Sequence, residues 1–99
     1  MTNTDMTVAN EIRNQIGHKA LFMLGAQYLM GDVDALSFRI RGSKLANHVK
    51  VQLMGDDTYA VTFTKIRGLN CRQVAQVSDV YVDSLHDTIE SNTGLRTSL

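Results

Sequence analysis

Arg39, Arg41, His48 and Lys50 are the residues of this 99-residue chain whose types and spacing most suggest chemistry. They alternate with apolar residues in two stretches, LSFRIR from Leu36 and HVKVQL from His48, so a period of two projects them from one face of neighbouring strands. Thr62 and Thr64, on a third such stretch, are expected beside them, with Lys44, Lys65 and Arg67 extending the group. Like charges side by side across strands oppose folding, so a cationic strip on an open sheet face points to an anion as its partner. That anion would be an acidic protein surface or the phosphates of a nucleic acid. The plainer alternative is a solvated face on which Lys and Arg guard against edge-to-edge aggregation. The contact residues read in this way are Arg39, Arg41, His48, Lys50, Thr62 and Lys65. No aromatic residue accompanies them for base stacking, which weighs toward the solvated face; of the two partners, a protein is slightly favoured over a nucleic acid.

A second group is acidic. Asp79, Asp83, Asp87 and Glu90 recur at the spacing of one helical face, near a helix N-terminus where acid suits the dipole. They read as a solvated face, or as a docking surface for the basic sheet of a second copy, a head-to-tail contact that would build rings or filaments. His86 lies between Asp83 and Glu90 but lacks the HxxxH or Cys companions of a zinc site. Cys71 with His48 lacks the third group that would orient a nucleophile and its base. With no glycine-rich phosphate loop, serine elbow or spaced carboxylate pair, the sequence predicts a protein that is not an enzyme and carries no metal or cofactor.

The elements that must position these groups follow from periodicity. Asp57 to Gly68, DTYAVTFTKIRG, is the most regular strand, with Tyr59, Val61 and Phe63 on the core side and Ala60, Thr62 and Thr64 toward solvent. Ala35–Arg41 and His48–Met54 alternate in the same way, and the turn clusters between strands are short enough for hairpins, which predicts an antiparallel meander. Ala26–Met30 and Cys71–Val77 are candidates for a fourth and a fifth strand. Thr7 is placed to cap a helix with Val8, Ile12 and Ile16 in its stripe, ending at Gly17, and a second short helix runs from His18 to Gly25. Ser78 or Asp79 is expected to cap a last helix whose buried stripe is Tyr81, Val82, Leu85 and Ile89, stopped by Gly94 with Leu95 folding back. The expected fold is therefore a single α+β domain over residues 1–99, its sheet of three to five strands covered on one face by N- and C-terminal helices. Leu36, Phe38, Ile40, Val49, Val51, Leu53, Leu21 and Leu24 join those stripes in the expected core. Residues 1–6 are expected to be disordered.

Composition narrows the class further. Ten acids balance ten Lys plus Arg, so the chain has no global preference for nucleic acid or an acidic membrane. A single Cys rules out an internal disulfide and makes a reducing cytoplasm the default. No apolar run approaches the ~20 residues of a membrane span, and the first residues lack the pattern of a secretory leader.

The segments GAQYL (Gly25–Leu29), LSFRI (Leu36–Ile40), DTYAVTFTKIRGLN (Asp57–Asn70), DVYVDSL (Asp79–Leu85) and TGLRTSL (Thr93–Leu99) together resemble a family of small, uncharacterised proteins encoded by tailed bacteriophages and prophages. The resemblance covers roughly residues 18 to 99. It implies an accessory protein in the cytoplasm of an infected bacterium and transfers no catalytic residue or cofactor. By analogy, the expected role is binding or inhibiting a host protein in takeover or anti-defence, with nucleic-acid binding through the basic sheet face as the alternative. A homodimer pairing the sheet faces at Thr62 and Thr64 is a further expectation. The helix–strands–helix order also matches double-stranded RNA-binding domains, but Asp79 and Asp83 stand where those need Lys.

Overall fold

The computed structural model describes residues 6–97. Its elements are α1 (Thr7–Ile16), α2 (His18–Met23), β1 (Gln27–Gly31), β2 (Ala35–Arg39), β3 (His48–Leu53), β4 (Tyr59–Arg67), β5 (Asn70–Val80), a single 3-10 turn (Val82–Ser84) and α3 (Leu85–Thr93). The five strands form one antiparallel sheet in the order β1-β2-β3-β4-β5. It is the meander that the hairpin-length turns predict, with both uncertain segments present as edge strands.

Register follows the alternation. Phe38 pairs with Val49 and Val49 with Phe63, while Leu36 pairs with Val51 and Val51 with Val61, so both apolar rows run across the sheet on one face. Ile12, Ile16, Leu24, Leu85 and Ile89 close over those rows in a single core cluster, which places α1, α2 and α3 on the same side. Leu53 and Val8, both expected inside, are only half-buried at its margin.

The first helix begins at Thr7 itself, and Met6, in the cap position, supplies no side-chain acceptor. Thr7 is thus the first helical residue rather than the cap. Met6 packs against Gly31, while residues 1–5, the rest of the segment expected to be disordered, lie outside the described residues. Gly31 sits where β1 passes under α1: a Cβ there would overlap the Met6 methyl and lie 2.9 Å from the Ala9 Cβ. Met6 can swing away, but Ala9 is part of the helix and cannot. Gly31→Ala is therefore expected to cost about 1–3 kcal/mol by forcing α1 off the sheet, read as a lower urea midpoint at unchanged slope.

The C-terminal helix differs most from expectation. β5 runs on to Val80, which is buried, so neither Ser78 nor Asp79 caps anything. Tyr81 and Val82, expected inside, are 64% and 48% exposed because they lie in the connection ahead of the helix. Leu85 and Ile89, with the buried Thr93, anchor α3, which stops at Gly94 in the left-handed conformation (φ 72°), its N–H donating to the Glu90 carbonyl. Leu95 folds back onto the core as expected.

Candidate binding surface

The face of the sheet away from the helices carries two polar rows. One runs Gln27, Arg39, His48, Thr64, Gln73; the other runs Met30, Ser37, Lys50, Thr62, Gln76. Adjacent strands lie about 4.8 Å apart, so Arg39, His48 and Lys50 are direct neighbours. Arg41 lies two residues beyond the end of β2, where its Nε–H donates to Gln27 Oε1 of the first row at 3.2 Å. Of the six contact residues read from the sequence, five therefore share this face. Lys65 does not. It stands two residues after Phe63 on the same strand, and so lies on the helix side with Arg67, its ammonium donating to the Lys44 carbonyl at 2.8 Å. The alternation that buries Phe63 also excludes Lys65 from the open surface.

The electrostatics of His48 follow from its place in the row. Burial, then the charges of Arg39 and Lys50, hold its imidazolium below the ordinary value of 6.5. As pH falls below 6.5, the unfolded chain takes up this proton before the folded one does. The stability His48 supports is therefore complete above 6.5 and is lost as pH drops through the folded value. The thermal midpoint is expected to fall between pH 7 and pH 5.5, and to fall less in His48→Gln.

The other chemical candidates are dispersed. His86 Nε2–H donates to the Ile16 carbonyl at 2.6 Å, tying α3 to the C-terminal end of α1. Cys71 is opposite Ile66 on β5, with β4 between it and His48, so the two are about 10 Å apart or more. The expected acidic helical stripe is not formed, since Asp79 is in a strand and Asp83 in the 3-10 turn. Glu90 is held below its usual range chiefly by the Thr97 backbone N–H, then by the Thr97 hydroxyl. No group of three His, Cys, Asp or Glu side chains is placed to hold a metal among the described residues.

Two features of the surface were not read from the sequence. The first is an apolar margin: Tyr28 and Met30 on β1 are 71% and 68% exposed, and Phe22 on α2 and Val33 in the next turn are exposed as well. Tyr28 has a positive φ of 54° in the bulge between Gln27 and Met30, so simple alternation across Ala26–Met30 could not reveal its exposure. The second is a separation of charge along the strands. No Asp or Glu occurs from Ala35 to Gly55 or from Thr58 to Ser78. Asp32, Asp34, Asp56, Asp57 and Asp79 all lie at one end of the sheet, while Arg41, Lys44, Arg67 and Arg72 lie at the other. The acid-free runs were visible as sequence, but their meaning depends on the meander, which sends alternate turns to opposite ends.

Fold and surface together define a small single-domain α+β protein with one helix-covered and one open sheet face. Comparison with protein families, with curated proteins and with solved structures finds no match to this chain. No helix among the described residues is long and apolar enough to cross a membrane.

Proposed function

We propose that this is a non-enzymatic binding protein whose open sheet face engages an acidic surface of a host protein, in keeping with its resemblance to small phage accessory proteins. The observation that carries the reading is the register Met30–Ser37–Lys50, which makes an exposed apolar edge continuous with the basic rows. Protein interfaces combine such features: Met and aromatic residues at the contact, Arg beside them, and polar side chains at the rim. Thr62, Thr64 and Ser37 supply short hydrogen-bonding groups that let a partner approach closely. Cations on the rows would steer an acidic partner and set its orientation more than its affinity.

The test is affinity capture from nuclease-treated bacterial lysate with the wild-type chain, with Met30→Glu and with Arg39→Glu/Lys50→Glu. All three positions are solvent-facing, and circular dichroism should show unchanged folding. A host protein recovered by the wild type and lost with both variants supports the reading. A protein retained equally by all three, or released by nuclease, overturns it.

A further inference from the structure

A second cationic site lies on the other side of the sheet. β3 pairs with β4 only as far as Thr64, and the Asn47 side chain holds Ile66 by both its backbone N–H and its carbonyl, so the two-stranded ribbon projects beyond Ile66 and is closed by the turn Gly68–Leu69. The pairs Lys65–Arg72 and Arg67–Asn70 set four side chains on one face of this ribbon, where they line an open groove of about 340 Å³. Ile66 and Cys71 occupy the opposite face. Leu69 at the tip is fully exposed.

We infer that this ribbon binds the phosphate backbone of a nucleic-acid duplex. The backbone positions of three cations, Lys65, Arg67 and Arg72, lie about 5–8 Å from one another, the spacings of paired strands, of alternate residues along a strand and of the diagonal between them, and the Lys65 ammonium also donates to the Lys44 carbonyl. Such crowding is unfavourable unless an anion neutralises it, and the hairpin from Thr58 to Ser78 contains no carboxylate to do so. Two of the three are arginines, whose planar forks match phosphate oxygens in pairs, and Asn70 adds a neutral donor. The groove is open and one-sided, which suits a backbone passing across it better than a small molecule enclosed within it. A two-stranded ribbon is narrow enough to follow a duplex groove, and an apolar tip such as Leu69 can press against bases there. This site uses none of the residues assigned to the protein-binding face.

The experiment measures anisotropy of a fluorescein-labelled, mixed-sequence 20-base-pair DNA titrated with the full chain between 50 and 200 mM salt. Neutralising three phosphates predicts that affinity falls about 40-fold over this range. Removing one cation, as Arg67→Ala or Arg72→Ala, should lower affinity and reduce that fall to about 12-fold. Arg67→Lys should preserve the salt dependence with weaker binding. Lys19→Ala, which removes an exposed cation of α2, should leave both unchanged. Three results would each overturn the proposal: no binding at 50 mM salt, a salt dependence unaltered by Arg67→Ala and Arg72→Ala, or a larger loss from Arg39→Ala than from either. Stronger sedimentation with phosphatidylserine vesicles than binding to DNA would likewise overturn it, assigning the ribbon to membranes instead. Loss of the lysate partner in the previous test leaves these outcomes unaffected.

Discussion

Phe63→Ala is expected to lower stability by about 3–5 kcal/mol, enough to leave much of a domain this small unfolded at 37 °C. Phe63 is fully buried and sits mid-sheet, between Val49 on β3 and Ala75 on β5. Ala75 is small and the opposing helices are short, so the emptied volume would be lined by groups anchored in paired strands that cannot collapse inward. The cost should therefore lie toward the upper part of that range. At about 4–8 °C per kcal/mol for a chain of this length, the thermal midpoint should fall by more than about 12 °C. Scanning calorimetry reads the change directly. A fall of only a few degrees would mean that Phe63 is not packed between the two strands as described.

Ile12→Ala is the second large effect, expected at about 2–5 kcal/mol. Ile12 is fully enclosed and belongs to the apolar stripe by which α1 reaches β2. A ten-residue helix without a side-chain cap is marginal alone, so its stability comes from docking. Ala is the better helix former by about half a kcal/mol or less, which offsets little of the loss. The distinguishing readout is hydrogen exchange. Amides of α1 should lose protection well before those of β3 and β4, because the sheet keeps its strand pairing when the helix lifts. A uniform loss across the molecule would show instead that α1 and the sheet unfold as one unit.

Much of the fold was legible because burial on one side of a sheet writes itself into every second residue. Leu36, Phe38, Val49, Val51, Val61 and Phe63 alternate with polar neighbours, and once one strand is oriented the others have no freedom of register. The last helix was misread where the signal was local. Tyr81 and Val82 have the spacing of a helical stripe, but β5 continues to Val80 because it pairs there with Tyr59, a partner far away in sequence. That long-range pairing outweighs the capping preference of Ser78 or Asp79. Asp79 instead takes a positive φ of 57° where the register of β5 shifts against β4.

The candidate surface divides in the same way. Arg39, His48 and Lys50 were placed together by alternation alone, since their strands are neighbours in a simple meander. Lys65 resembles them in charge but shares the parity of Phe63 on β4, which sets it on the other face. The order of apolar and polar residues determined the sheet, its buried face and the neighbours of the basic rows, because a period of two admits only one orientation per strand. The exposed edge at Tyr28 and Met30, the opposition of acidic and basic ends, and the projecting ribbon were decided by tertiary structure. Each depends on where strands stop and turns point, and those are set by contacts between residues that no local pattern connects.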